Sequence, residues 1–113
     1  MTGRTPPIGS LRDRVQLQQK TMLAEGEGGH QALYVPLATV WARVAPLAGH
    51  VRTEADARAV RASHMVVTRF RTDLNPGDRI IYRGRGLEVL SADDLNGRRA
   101  YLSCACSEMQ VTG

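Results

Sequence analysis

The chain has few aromatic residues and almost no lysine. Aromatics make up 4% of its 113 residues, with one tryptophan. Lys20 is the only lysine, compared with fourteen arginines. Aliphatic side chains must therefore fill the core, which at this length serves one domain and not two. No apolar run approaches the ~20 residues that cross a bilayer, and the first seven residues lack the apolar segment of a signal peptide. We expect a soluble protein, made in the cytoplasm, with no membrane partner.

Cysteine and histidine are too few and too scattered for a metal centre. A zinc site needs about four ligands at suitable spacing, whereas His30, His50 and His64 fall in different segments. Cys104 and Cys106 are two apart in an alternating segment, so both point to one face of a pleat and do not close a relaxed disulfide. The sequence predicts two buried, reduced thiols, no metal and no cofactor.

No residues with catalytic spacing are visible. Asp93 and Asp94 would point to opposite sides of an extended chain, and neither Asp78 nor Glu88 has a partnered histidine. The run Arg83-Gly84-Arg85-Gly86 lacks the following helix that a phosphate-binding glycine loop needs. We expect no enzymatic activity and no catalytic residue.

Hydrophobic alternation predicts a mainly β domain. Val15 and Leu17 share one parity in the first strand. The last third reads as a meander of strands over 79–82, 87–90 and 99–106 that pair in sequence order, with turns at 84–86 and at Asn96-Gly97, where both residues tolerate positive φ. With one short inserted α-helix, about six antiparallel strands would form a small β-barrel or sandwich, which covers strand edges economically.

The middle of the chain contains the strongest signals for the end of a strand. A strand from Thr39 to Ala45 should end at Pro46 and Gly49, because proline cannot donate to a ladder and glycine permits a turn. Trp41 in this strand would cover a core edge or a subunit contact. An alanine-rich segment, Thr53 to Ala62, is typical of a short helix with a capping threonine.

These patterns divide the chain into three parts. We expect a flexible N-terminal arm over residues 1–10, a single β-barrel domain over 11–108 and a C-terminal tail over 109–113. A glycine-rich stretch without apolar pattern should form a mobile hairpin tip, where function often lies. Its residues are Glu25, Gly26, Glu27, Gly28, Gly29, His30 and Gln31.

The order and spacing of these motifs resemble the phage head-tail joining family. The resemblance extends from Leu11 to Glu108 and rests on Leu11-Arg12-x-Arg14-Val15-x-Leu17-Gln18, Gly28-Gly29, Trp41, Pro46-Leu47-x-Gly49, Glu54, Arg69-x-Arg71, Pro76, Asp78-Arg79-Ile80-x-Tyr82-x-Gly84-Arg85-x-Leu87-x-Val89, Asp94, Gly97, Arg99 and Cys106-x-Glu108.

The resemblance implies a head completion or stopper protein of long-tailed phages or gene transfer agents. Such proteins are β-barrels with one helix that assemble as rings, commonly dodecameric, between the portal-bound adaptor and the tail terminator or tail tube protein, where they close the DNA exit channel. The implied place of action is the neck of the particle, after assembly in the host cytoplasm.

Ring geometry suggests which segments matter. The 25–31 loop, or the basic hairpin with Arg83 and Arg85, would face the channel or a ring neighbour; ordinary surface hairpins are the alternative. Arg69 and Arg71 would bridge acidic groups on an adjacent subunit, or simply lie solvated along apolar surface. Contact with packaged double-stranded DNA would be transient, since DNA must slide. A basic pI near 9.7 leaves a second function open, a small nucleic-acid-binding barrel.

Overall fold

The structure is a computed structural model that describes residues 10–24, 26, 28–55 and 58–109, with side chains left aside at 48–55 and 58–61. Its six antiparallel strands are β1 (Asp13–Ala24), β2 (His30–Ala55), β3 (Arg58–Arg69), β4 (Arg79–Tyr82), β5 (Arg85–Asp94) and β6 (Tyr101–Glu108). They close into a barrel in the order β1-β2-β3-β6-β5-β4. The predicted mainly β fold is confirmed, and within the described residues no helix is long and apolar enough to cross a bilayer.

Inward-facing alternation builds one core inside the barrel. Val15 and Leu17 of β1, as the sequence predicted, are at most 1% exposed and pack with Ile80, Val66 and their neighbours. Cys104 and Cys106 lie in the same cluster as free thiols. The predicted buried thiols are confirmed.

The meander of β4, β5 and β6 also follows the prediction. The three strands pair in sequence order. A 3₁₀ turn at Leu95–Gly97 connects β5 to β6, with φ values of 60° at Asn96 and 68° at Gly97. The turn between β4 and β5 is at Arg83-Gly84, both at positive φ, and not at 84–86 as predicted.

The predicted helix from Thr53 to Ala62 is wrong. The described residues of this segment, 53–55 and 58–62, belong to β2 and β3, which pair from Val51 with Ala62 to Ala55 with Arg58. Alanine propensity is a weak preference, and a helix of about ten residues is marginal unless packing supports it. Strand pairing satisfies the backbone instead, and at its base Ala62 and Leu47 pack on Leu90 and Ala105 outside the barrel.

The predicted strand end at Pro46 and Gly49 is also wrong, because both residues lie inside β2. The β2–β3 register shifts between Pro46 and Val51, and the β1–β2 register shifts opposite Leu17 and Gln18, next to Pro36. Proline is tolerated in a sheet at such irregularities. Each proline in β2 thus marks a bulge and not a stop.

Candidate functional site: the arm and the Trp41 surface

The β1–β2 hairpin extends past the barrel as a two-stranded arm, which we define as residues 19–24 and 30–36 with the tip between them. β4 pairs with β1 only over Val15 to Gln18, and β3 pairs with β2 only from Ala42 onward. No other described strand pairs with the arm. Its two strands therefore depend on each other, and such an isolated hairpin is at best marginally stable in water.

One side of the arm is apolar and uncovered. The period of two from buried Leu17 places Leu23 on the inward side, and the register places Leu33 and Val35 on the same side. These three side chains, the arm face, are 50%, 38% and 47% exposed. Met22, on the opposite side, is 53% exposed. Four of the five large exposed apolar residues in the described part of the chain thus lie on the arm.

Asp78, just before β4, and Arg79, its first residue, hold the base of the arm. Asp78 is 4% exposed, and its carboxylate accepts hydrogen bonds from the backbone N–H of Lys20 at 2.9 Å and of Asn75 at 2.8 Å. The guanidinium of Arg79 lies 3.7 Å from the ring centroid of Tyr34 on the other strand. The arm therefore leaves the barrel in a fixed direction.

The predicted 25–31 loop is only partly described. Gly26, Gly28 and Gly29 lie between the strands, and Gly28 has a φ of 81° that favours glycine. His30 and Gln31 are the exposed first residues of β2 and not part of the loop. Glu25 and Glu27 lie outside the described residues.

Trp41 is the second outward apolar feature. Its side chain is 53% exposed on the outside of the barrel, while its neighbour Ala42 is buried in the core. Arg14, its partner on β1, places a guanidinium 5.1 Å from the indole centroid. Arg69 follows Thr68, the β3 partner of Ala42, and so flanks Trp41 on the other side. We call Arg14, Trp41 and Arg69 the Trp41 surface.

Two grooves adjoin this surface. One, of about 430 Å³, is lined by Leu11, Arg12, Trp41 and Arg69. The other, of about 300 Å³, shares Trp41 and Arg69 and adds Phe70 and Arg71 among its walls. Arg12, Arg14 and Arg69 are exposed. The combination is an aromatic ridge with a positive border.

Arg71 is tied to its own chain. Its Nε and Nη2 donate to the two carboxylate oxygens of Asp73 at 2.7 and 2.9 Å. This bidentate pair raises the pKa of Arg71 and lowers the pKa of Asp73. Arg69, the last residue of β3, and Arg71, just beyond it, were both predicted to reach an adjacent subunit, and Arg69 is the more exposed of the two.

The Arg83–Arg85 hairpin lies at the opposite end of the barrel from the arm. β4 begins beside the base of the arm and ends at this turn, so the structure does not bring the two predicted regions together. The guanidinium of Arg83 is 5.1 Å from the Tyr82 centroid, and Arg85 Nη1 is 3.9 Å from Glu108 Oε1. Both arginines border a groove of about 360 Å³ that also contacts His64 and Pro46.

The titratable groups do not gather into a reactive centre. Among the described residues, no three His, Cys, Asp or Glu side chains converge as metal ligands do. Burial raises the pKa of Cys104 to about 12 and raises that of Cys106 further, with the nearby Asp93 and Cys104 charges adding to the respective shifts. Thiols in this state are neutral and poorly nucleophilic.

The comparison with known families decides the identity. The sequence profile of the phage head completion protein family matches residues 6–109. The chain belongs to the phage head completion protein family. This confirms the resemblance drawn from the motifs, and it groups the chain with phage structural proteins.

Solved structures share the fold of this head completion protein. The solution structure of protein SF1141 from Shigella flexneri 2a superposes with a TM-score of 0.66 at 24% identity, covering 89% of this chain and 95% of that one. A chain in the virion of a native gene transfer agent particle superposes with a TM-score of 0.62 at 22% identity, covering 87% and 94%. No match is found among curated protein sequences.

The sequence did not reveal the arm face. Leu23, Leu33 and Val35 are ordinary strand residues, and sequence alternation alone does not say where a strand leaves the barrel. The one signal in the sequence was that the alternation of apolar residues ends after Leu17, where Gln18, Gln19 and Lys20 follow.

Proposed function

We propose that this protein is the head completion or stopper component of a head–tail connector. Its copies form a ring, dodecameric as is common for such connectors, between the portal-bound adaptor and the tail terminator or tail tube protein, and the ring closes the DNA exit channel. The observation that carries this proposal is the family match over nearly the whole chain. The protein assembles in the host cytoplasm and acts at the particle neck without catalysis.

Two different outward patches support a ring. A contact between unlike surfaces repeats around an axis and closes when the rotation permits. The arm face and the Trp41 surface are unlike, since one exposes three aliphatic side chains and the other an indole beside arginines. The Gly26–Gly29 tip and the arm that carries it would contact a neighbour or the channel.

Arg83 and Arg85 are the candidates for contact with DNA. Both are exposed at the barrel end remote from the arm. Two exposed arginines per copy would neutralise phosphates weakly, and weak contact suits a channel through which duplex DNA slides. Transient binding that steepens as salt falls is the expected behaviour.

Deletion of Gly26 to Gly29 tests the role of the loop. The tip lies beyond the barrel, so the variant should keep the melting temperature of the wild type while particles lose DNA retention or tail joining. Replacement of the four residues by four serines is the matched control for length. Unchanged DNA retention and tail joining in the deletion variant would exclude the loop from connector function.

Nucleic-acid binding remains the second candidate, because Trp41 is exposed between two arginines, as a base-stacking platform would be. Against it, Tyr34, Phe70 and Tyr82 each have a guanidinium over the ring. Single-stranded DNA affinity near micromolar at physiological salt would favour this alternative, and ring assembly with a portal–adaptor complex would favour the connector.

A further inference from the structure

The arm face cannot cover the Trp41 surface of its own chain. Val35 and Trp41 are on the same strand, six residues and therefore about 20 Å apart. Val35 faces the inward side of β2, whereas Trp41 faces outward. Both features belong to one continuous strand and face opposite sides of it, so a contact between them requires two copies.

The two features match in size and chemistry. The arm face offers three aliphatic side chains in a row, and the grooves beside Trp41 are wide enough, at about 430 and 300 Å³, to take aliphatic side chains. An aromatic ridge bordered by arginine is the composition most enriched at interface hot spots. Burying the arm face would also stabilise a hairpin that is marginal alone.

Charge selects the same pairing. Between Met22 and Leu33 the only carboxylates or formal cations in the sequence are Glu25 and Glu27, which makes the tip acidic. The grooves beside Trp41 are bordered by exposed Arg12 and Arg69, with Arg14 over the indole. A second copy of this chain therefore supplies both the apolar face and the opposite charge that the Trp41 surface fits.

We propose that the arm face of one copy packs on the Trp41 surface of the next, and that the acidic charge of the arm sequence favours the arginines beside Trp41. The contact is heterologous, since each copy gives its arm to one neighbour and receives the arm of the other. It rests on the proposed ring and names the surfaces that would build it.

Cysteine cross-linking can test this contact without removing any of its members. Thr21 lies on the arm-face side opposite Leu33, and Thr39 lies two residues from Trp41 on the outward side; both are exposed. Within one chain these positions are about 20 Å apart, too far for a disulfide. Cys104 and Cys106 are buried and do not compete.

The double variant Thr21→Cys with Thr39→Cys, oxidised in purified particles, should give a ladder of covalent multimers on a non-reducing gel. Each single variant should give none, and Thr21→Cys with Thr72→Cys, which places a thiol at another exposed site, is the matched control. Glu25→Lys with Glu27→Lys should lower the ladder yield about tenfold, and adding Arg14→Glu with Arg69→Glu should restore it.

The outcomes separate the contact from the function. Particles that contain the protein but show no ladder overturn the arm contact and leave the connector role standing. Particles that lack the protein contradict the connector role. In that case the purified protein is oxidised at high concentration. A ladder of multimers then supports the arm contact, and monomer alone refutes it. Quenching of the single tryptophan by single-stranded DNA at physiological salt, without cross-linking, would assign the Trp41 surface to nucleic acid instead.

Discussion

Asp78 shows how one buried side chain fixes an element that lies mostly outside the core. Its carboxylate binds the N–H of Lys20 in the arm and of Asn75 in the preceding loop, while its own backbone carbonyl accepts from Val89 in β5 at 2.9 Å. The residue therefore joins three segments that are distant in sequence. The motif Pro76-Gly77-Asp78 is recognisable in the sequence, but its partners are not.

Asp78→Asn should lower the free energy of unfolding by about 1–3 kcal/mol, because the amide has one acceptor oxygen and one of the two backbone N–H groups loses its hydrogen bond to a charged carboxylate. Urea denaturation measures the change. Asp93→Asn, at an exposed position on β5, is the control and should stay within about 0.5 kcal/mol of the wild type. Equal stability of the two variants would show that Asp78 does not hold the arm base.

The two cysteines make a prediction about pH. Since burial raises the pKa of Cys104 to about 12 and that of Cys106 as well, from 9.0 in an exposed thiol, the folded chain keeps protons that the unfolded chain releases above pH 9. Stability contributed by this difference is complete below pH 9 and is lost as pH rises toward 12.

Thiol reactivity provides the direct measurement. At pH 8 the native protein should not react with a disulfide reagent, and both thiols should react once the chain is unfolded in denaturant. The Thr21→Cys variant, with an exposed thiol, should react with one equivalent at once. Native cysteines that react as fast as this control would contradict the burial.

At the scale of the elements, the β4–β5 turn shows how backbone conformation decides where a glycine is required. The β4–β5 hairpin turns at Arg83 and Gly84, with Gly84 at a φ of 77° in open space, whereas Gly86 in β5 is not at positive φ and would bring a methyl group only to ordinary contact distances of 3.6 Å. The backbone conformation therefore favours glycine at position 84 but not at position 86.

Gly84→Ala should therefore destabilise the protein by about 1–2 kcal/mol, because a Cβ opposes the left-handed conformation. Gly86→Ala, the matched control, should cause no loss. Thermal unfolding of the pair measures the difference. A Gly86→Ala variant as unstable as Gly84→Ala would mean that space, and not backbone conformation, sets the cost.

The same scale shows why other elements escaped prediction. Alternation gave β1, the meander and the buried cysteines because inward parity repeats along each strand. The segment Thr53 to Ala62 has helical propensity, and its described residues are strand because they pair between β2 and β3. Pro46 predicted the end of a strand, but β2 continues through it because the pairing with β3 shifts register there. Both outcomes depend on contacts between distant residues, which local propensity does not contain.

At the scale of the whole molecule, the barrel positions three surface features, one at each end and one on its outside. The arm projects at one end, the basic Arg83–Arg85 turn lies at the other, and Trp41 faces outward between them. Residue types alone indicated a basic surface and a glycine-rich tip. Only the strand register shows that the arm face and the Trp41 surface lie on opposite sides of β2.

The central claim is that this protein is a ring component of the particle neck. Cryo-electron microscopy of intact particles from the producing strain, compared with particles from a strain lacking the gene, tests it most directly. The account predicts a ring of barrel-shaped density between portal and tail that disappears on deletion, together with loss of packaged DNA or of tails. A neck with the same density in both particles would contradict it.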